Sequence, residues 1–470
     1  MIFSKDEIKR LWYMRPNEFN EWRKENDLPR LFDILHHNLN GFKEWIDTFG
    51  LNKDIFINAP RTGELFTGKE IFDFVSYTCN KKKKFIIKQS SINIKKILEK
   101  ESFIHNVSVI KFIPFLHWAE KNIDKIGSVP KIEYTKWDES GELSNAYLLN
   151  WMPALKLGQI KLKADKEIQD RNLDFTDLDS ITFSGFIVSK PATIRFASCR
   201  NWKINNESRM FGVTVEKCCM FRLECLNAYL AMNFLHCQIF EPSFNGTYFY
   251  ELSIIKSMLL NPQLDKTEVV NFKYVPLENP RCPQNEKDNY RRFRFSFQGV
   301  GNLNEAKKCY YNEKCSEREI FFEELKKNND IPEKTNNISF WTKVVRNVLI
   351  LNFKENNQQA KRRFRRYIYS SFQYYLWGYG EKPINIIKIS AYIIAAFSVL
   401  FFLFDLTVDS KTQFNPINSI YFSIVTFTTL GYGDIQPSGV IAKILCGAEA
   451  LTGALMIGLS IAGFSNKSSY

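Results

Sequence analysis

The chain has little of what most catalytic or metal-binding sites are made from. It has five histidines in 470 residues, and none falls at a metal-ligand spacing. His36-His37 reads as a helical pair. The ten cysteines form no paired CxxC pattern; Cys218-Cys219, Cys225 and Cys237 sit among apolar residues. That favours reduced core thiols over a zinc site or disulfides. A nucleotide-binding glycine loop, a nucleophile elbow and a paired acid–base motif are all missing, so neither an enzyme nor an organic cofactor is expected. Met1 to Arg10 lacks the apolar core of a signal peptide. No apolar helix carries regularly spaced arginines, so a dedicated voltage sensor is not expected. Acidic charge is in deficit, with 51 Asp and Glu against 64 Lys and Arg and a net charge of +13. Such a balance points to nucleic acid or anionic lipid as a partner.

Two apolar stretches decide between those partners. Ile384 to Phe404 is 21 residues, about 31 Å as a helix at ~1.5 Å per residue. That matches a bilayer core. Val440 to Phe464 is 25 residues, apolar and rich in glycine. With membrane spans present, lipid is the better partner and nucleic acid is not expected. Five of the six residues Lys361-Arg362-Arg363-Phe364-Arg365-Arg366 are basic and lie close before the first span. They hold that side in the cytoplasm and are candidates for contact with anionic headgroups. Tyr367, Tyr369, Phe372, Tyr374, Tyr375 and Trp377 suit an interfacial helix; the alternative is a solvated helix face. The loop after the first span carries Asp405 and Asp409 against Lys411 alone. This asymmetry predicts a multi-pass protein of the cell (inner) membrane with both termini cytoplasmic.

Between the spans lies Thr428-Thr429-Leu430-Gly431-Tyr432-Gly433-Asp434. A cation that sheds its water needs replacement oxygens, and stacked rings of backbone carbonyls supply them. Successive carbonyls share a direction only if some residues adopt angles denied to ordinary L-residues, a freedom Gly431 and Gly433 provide. Asn415-Pro416 reads as a helix start, with a short apolar helix over Ile417 to Thr428 whose C-terminal end favours a cation. Irregular backbone at membrane depth is tolerated where it lines a pore or is buried in protein.

TTLGYGD between two spans resembles the selectivity filter of the two-transmembrane-helix potassium channel family. The resemblance implies a homotetramer, K+ as the permeant ligand bound by Thr429, Leu430, Gly431, Tyr432 and Gly433, and Asp434 at the outer mouth. Leu430 stands where the family usually has valine. Val425 stands where some relatives place a carboxylate that braces the filter aspartate, and Tyr421 and Phe422 replace bulkier cuff aromatics. Ala454, Ile457 and Ile461 follow helical spacing and are candidate cavity or gate residues. Gly453 lies where the family has a bending glycine, although Gly447, Gly458 and Gly463 leave close packing an equal reading. Glu449 is an ionisable residue inside a span and is expected to bond near the base of the pore helix. Gly378-Tyr379-Gly380 repeats the GYG triplet without the threonines or an apolar helix before it; it reads as a turn feeding the first span.

The chain before the pore divides into three. Residues 1–165 read as a mixed cytoplasmic domain of unknown role. Trp12, Phe19, Trp22, Leu31, Phe32, Ile34 and Leu35 suggest short amphipathic helices, and Lys81 to Lys84 a solvated turn before a strand. In residues 166–287, Leu173, Leu178, Phe183 and Val188 fall five apart, as do Phe234, Ile239, Phe244, Phe249 and Ile254. Small residues two places earlier include Thr176, Cys237 and Thr247. This resembles degenerate pentapeptide repeats, which wind a four-sided right-handed β-helix around an apolar column; a plain β-rich domain is the alternative. Pro191 to Met220 is expected to break the register. Arg171 to Lys256 holds nine basic and eight acidic residues, which does not support DNA mimicry. Residues 288–382 read as a helical connector and basic juxtamembrane segment, and 383–470 as the pore domain.

The text EAKKCYYNEKCSER over residues 305–318, followed by WGYGEKP, is similar to a bacterial group joining pentapeptide repeats to a two-helix pore. That resemblance covers roughly residues 170 to 470. The expected fold is a membrane α-helical pore plus a large N-terminal α+β region that includes a pentapeptide-type β-helix. The expected function is potassium conduction. Because the chain ends six residues after Phe464, gating is expected through the N-terminal region, by a ligand or partner that the sequence does not name. A non-selective cation channel, or a tethered sensor or scaffold with a vestigial pore, are the alternatives.

Overall fold

A computed structural model describes residues 3–80, 82–90, 104–127, 135–137, 143–145, 154–163, 168, 170–278, 281–328, 356–403, 406–408, 416–437 and 439–468. Lys81, Phe404, Asp405, Asp409, Lys411, the Asn415 cap and the side chain of Lys361 lie outside the described residues. The chain divides into two units, Met1–Cys282 and Pro283–Tyr470.

Helix starts in the first unit follow local chemistry. Ser4 and Glu7 form a reciprocal capping box before Lys5–Tyr13, Pro16 opens Pro16–Asn26, and Asn52 caps Lys53–Asn58, each satisfying or removing an orphan amide. Helices Leu28–Asn38 and Phe42–Phe49 complete the set. Trp12, Phe19, Leu31, Phe32 and Leu35 are buried, as the apolar spacing predicts. Leu31, Phe32 and Leu35 share a core with Phe74, Ile87 and Phe112 of an antiparallel sheet in which Phe72–Cys79 lies between Lys82–Gln89 and Ile104–Phe112, and Trp12 and Phe19 pack against the Arg171 guanidinium. Lys82, Lys83 and Lys84 are exposed positions of a strand, not the turn expected from their charge. The turn falls at Asn80, whose φ of 49° is left-handed, a conformation asparagine tolerates.

The strands from Leu155–Lys156 to Glu268–Pro276 form a parallel β-solenoid. Leu162, Phe183, Ile204, Cys225 and Phe244 stack in register on successive turns, 19 to 21 residues apart, and all are buried. Val188, Met210, Leu230, Phe249 and Val269 make a second column. Ile194, Val215, Phe234 and Ile254 make a third, and Met220, Ile239 and Leu259 a fourth. Four inward residues per turn of about twenty are the five-residue rhythm made visible. Corners recur at left-handed residues such as Asn201, Arg222, Glu241 and Asn261. Small polar residues sit inside the corners and donate to carbonyls: Ser208 to Asn205 at 2.6 Å, Ser257 to Ile255 at 3.0 Å, Thr267 to Phe244 at 3.0 Å. Their bonds satisfy carbonyls that the bend removes from the ladder.

The expected break over Pro191 to Met220 does not occur. Ile194, Cys199, Ile204, Met210, Val215 and Met220 all remain buried. The spacing lengthens to six between Val188 and Ile194 and again between Ile204 and Met210. The extra residue falls between strands each time: Asn205 and Arg209 are four apart where their partners Ser184 and Ile187 are three apart, and Val188 and Ala192 are four apart where Met210 and Val213 are three apart.

The helical lobe and the solenoid share a core. Phe66 lies edge-on to Phe175 at 5.0 Å and to Phe196 at 5.7 Å. Arg23 is fully buried, paired with Asp27 at 2.6 Å, and donates to the carbonyl of Asp174 at 3.1 Å. The Asp174 carboxylate accepts from the amides of Gly63 and Arg195 at 2.7 and 3.0 Å. Buried charge needs such partners on every side, so these bonds fix how the lobe meets the first turns.

The second unit is helical. Pro283–Gly299 and Leu303–Asn328 pack together around Glu313, which accepts from Arg291 at 3.0 Å and Arg294 at 2.8 Å. Asn356–Trp377 follows, then a turn at Gly378–Gly380, then Ile384–Leu403, Pro416–Phe427 and Gly439–Ser468. Ile384–Leu403 and Gly439–Ser465 are long and apolar enough to cross a bilayer. The turn at Gly378–Gly380 is the second GYG triplet. Tyr379 is buried in the left-handed region at φ 56°, its hydroxyl 2.8 Å from Ser370 Oγ.

Candidate functional site

The short helix Pro416–Phe427 ends in a geometry that starts the next segment. Leu430 N donates to Val425 O and Thr429 N to Thr426 O, both at 3.0 Å. These are the two bonds of a Schellman ending, which requires a left-handed residue between them. Thr429 is that residue, with φ 56°. Gly431 at φ 60° and Gly433 at φ 80° follow, while Leu430 and Tyr432 keep negative φ. Alternation of positive and negative φ turns successive carbonyls toward one side of a segment. Glycine takes these angles freely; a threonine there is strained by ~1 kcal/mol or more. The spacing TTLGYGD identified the two glycines. The threonine's part was not legible, because side-chain identity does not announce a positive φ.

The segment stands clear of its own chain: Leu430 is 60% and Tyr432 68% exposed. Its C-terminal end is held in two ways. Tyr421 Oη donates to Asp434 Oδ2 at 2.8 Å. Beyond it, Ile435–Pro437 pairs antiparallel with Leu406–Val408, and Ile435 packs with Phe401, Phe422 and Ala442. The Phe401 and Phe422 rings meet edge to face at 4.9 Å. Sequence reading named Tyr421 as a substituted aromatic and Val425 as a missing carboxylate. It did not find that the Tyr421 hydroxyl reaches the aspartate.

Behind the short helix, three helices meet at a hydroxyl. Ser423 Oγ donates to the carbonyl of Ile394 at 2.9 Å and is hydrogen-bonded to the Glu449 carboxyl. Glu449 is fully buried. The expected bond near the base of the short helix therefore exists, and Ser423 is its partner. Gly453 lies one turn further along the same face. A Cβ built on it falls 1.9 Å from the carbonyl oxygen of Phe427. Met456 and Gly463 continue this buried face, whereas Ala454, Ile457 and Ile461 lie on the open one. Gly453 is thus a point of close helix approach, and Gly439–Ser468 runs as one helix through it. Gly447 and Gly458 meet nothing within 4 Å in the chain.

Residues 386–468 match a family model described as an ion channel. The protein carries an ion-channel domain. The match starts two residues into the first span and runs to the end of the last helix. It takes in the short helix and the TLGYGD strand; the solenoid lies outside it. No solved structure matches the chain. With two spans and this domain, the chain is a membrane protein.

The basic cluster stands apart from that channel segment. Arg362, Arg365 and Arg366 line an open cavity of about 730 Å³ with Ile368, Tyr369 and Phe372. Arg363 faces Glu324 at 3.9 Å. At the start of the first span, Lys382 Nζ donates to Tyr311 Oη at 2.8 Å and the Arg318 guanidinium stacks 3.8 Å over Tyr374. These contacts tie the connector to the turn from which the span begins.

Proposed function

We propose that the protein is a potassium-selective channel formed by four copies of the chain. The observation that carries this reading is the alternation of φ at Thr429, Gly431 and Gly433 across TLGYG. It offers a ladder of carbonyl oxygens to a dehydrated cation. Thr429, Leu430, Gly431, Tyr432 and Gly433 supply the ladder, and Asp434 concentrates cations at the outer mouth. One strand makes one wall, and its exposure in the single chain fits a ring closed by symmetry. The open face of the second span, with Ala454, Ile457 and Ile461, lines the inner cavity in this arrangement, and a ring of Ile461 gates by dewetting.

The remaining assignments follow from position. The chain lies in the inner membrane with both termini cytoplasmic, oriented by Arg362, Arg363, Arg365 and Arg366 with Lys361. The cavity that Arg362, Arg365 and Arg366 share with Tyr369 and Phe372 suits an anionic lipid headgroup beside the bilayer. Residues 1–282 act as the regulatory part. A cut at residue 165 would divide a shared core, so the test removes the whole unit.

Potassium and sodium flux into liposomes tests the reading. Potassium flux well above sodium, abolished by Gly431→Asp, is the expected result. Equal fluxes would replace selectivity with general cation conduction. Flux unchanged by Gly431→Asp would remove the filter assignment. Removal of residues 1–282 is expected to change the open fraction, and unchanged flux would count against regulation from that side.

A further inference from the structure

In the first unit, helix Lys5–Tyr13 and the end strand of the solenoid, Lys161–Leu162, leave a cleft of about 380 Å³. The volume falls in the range of small-molecule sites, about 300–1,000 Å³. Its lining has two chemistries. Lys5, Ile8, Lys9, Trp12 and Tyr13 share one helix face by their spacing of three and four. Lys161 and Lys163 alternate with the inward Leu162 on the strand side. Four lysines therefore line the cleft together with Ile8, Ile160 and Leu162, and Tyr13, an exposed residue, also lines it.

Among the described residues, the lining includes no carboxylate. Lys9 meets Asp6 at 3.5 Å on the solvent side; Lys5, Lys161 and Lys163 make no ion pair among the described residues. Like charges gathered around a concave site repel, and an anion between them relieves that repulsion. The two lysines on the helix stand one turn apart, about 6 Å. The two on the strand side stand two residues apart, about 6.6 Å at ~3.3 Å per residue. Those separations suit an extended run of phosphates better than a single carboxylate. The apolar lining residues and the tyrosine suit a planar body attached to it.

We propose that this cleft binds a phosphorylated small molecule of nucleotide type, its phosphates on Lys5, Lys9, Lys161 and Lys163 and its base against Tyr13 and Ile160. Lysine serves phosphate as a point charge on a flexible stem, without the bidentate geometry that arginine demands. The cleft is distinct from the ion-channel domain, and its occupancy is measured without any flux.

The test uses the purified full-length chain in detergent near physiological salt, with ATP, ADP, adenosine and inorganic triphosphate as probes. Calorimetry is expected to show ATP or ADP binding with a Kd below about 1 mM, adenosine binding far more weakly, and a ligand-dependent rise in melting temperature. Lys161→Gln with Lys163→Gln is expected to weaken nucleotide binding at least tenfold while the unliganded melting temperature stays within a degree or two of the parent. Tyr13→Ala is expected to weaken ATP but leave triphosphate unchanged. No binding of ATP, ADP or triphosphate at ~1 mM overturns the proposal. Triphosphate binding as tightly as ATP, with no effect of Tyr13→Ala, also overturns it and leaves a simple ion-exchange surface.

Discussion

Gly453→Ala tests whether the close approach of the second span to the pore helix holds the filter. A methyl at that position falls 1.9 Å from Phe427 O, 2.7 Å from Phe427 C and 3.0 Å from Phe427 Cα. Ordinary contact begins near 3.4 Å, so the two helices must part by roughly 1.5 Å. The obstructing atoms are backbone, and no rotamer change relieves them. Overpacking of this kind costs about 1–3 kcal/mol. Phe427 is two residues before Thr429, whose amide bonds back into the same helix end. A shift of that size at Phe427 therefore reaches the first carbonyl of the ladder, where a site must hold within about 0.5 Å. Gly458→Ala is the control: it meets nothing within the chain and exchanges glycine for a better helix former, by about 0.5–1 kcal/mol. The assay is potassium flux per reconstituted protein, read beside the thermal stability of the detergent-solubilised assembly. Gly453→Ala is expected to lose most flux and to melt earlier, and Gly458→Ala to match the parent. Parental flux and selectivity in Gly453→Ala would refute the idea that this contact positions the filter.

Three further perturbations probe other contacts. Glu449→Gln keeps a group that reaches Ser423 and is expected to conduct, whereas Glu449→Leu removes that bond, leaves Ser423 Oγ the Ile394 carbonyl, and is expected to cost about 0.5–1.5 kcal/mol and lower flux; equal flux in both would show the bond to be idle. Arg23→Met strips Asp27 of its 2.6 Å partner and Asp174 O of a donor, so urea unfolding followed by tryptophan fluorescence should show a loss of about 3–5 kcal/mol, partly restored by adding Asp27→Leu. His236 sits at a solenoid corner where burial and then Lys217 and Lys256 push its imidazole down to about 4. Because the folded value lies below the unfolded 6.5, its contribution to stability is full above pH 6.5 and is lost as pH falls toward 4; an NMR titration that places it near 6.5 would contradict this.

What the sequence reveals depends on whether a residue's role is local. The inward columns of the solenoid were legible because one residue in five is apolar wherever the turn repeats. The two six-residue spacings were not, because the extra residue falls between strands, at Val188 to Ala192 and at Asn205 to Arg209, where it leaves no periodic mark. The spans and the helix start at Pro416 followed from length, hydropathy and proline chemistry. The filter glycines followed from the conformations their neighbours cannot adopt. Contacts made across the fold left weaker signals. Tyr421 and Asp434 are thirteen residues apart, and nothing in either name specifies that the hydroxyl reaches the carboxylate. Gly453 looked equally suited to bending and to packing until the Phe427 carbonyl was seen beside it.

The same distinction separates the two ends of this chain. At the pore, strained backbone at Thr429, buried polar bonds at Ser423 and Glu449, and a missing Cβ at Gly453 converge on one helix terminus. Each alone has an ordinary explanation, in capping, in satisfying a buried hydroxyl, or in tight packing. Together they fix where a run of carbonyls points, at a cost in strain and burial that a helix end with no further duty would not need. The cleft beside Lys5–Tyr13 shows a comparable mismatch in charge alone. Four lysines gather where no carboxylate among the described residues joins the lining, and a surface selected only for solubility would intersperse the signs. In both places the residues suit something that the isolated chain does not contain: a cation in the proposed filter, and a phosphorylated anion in the proposed cleft.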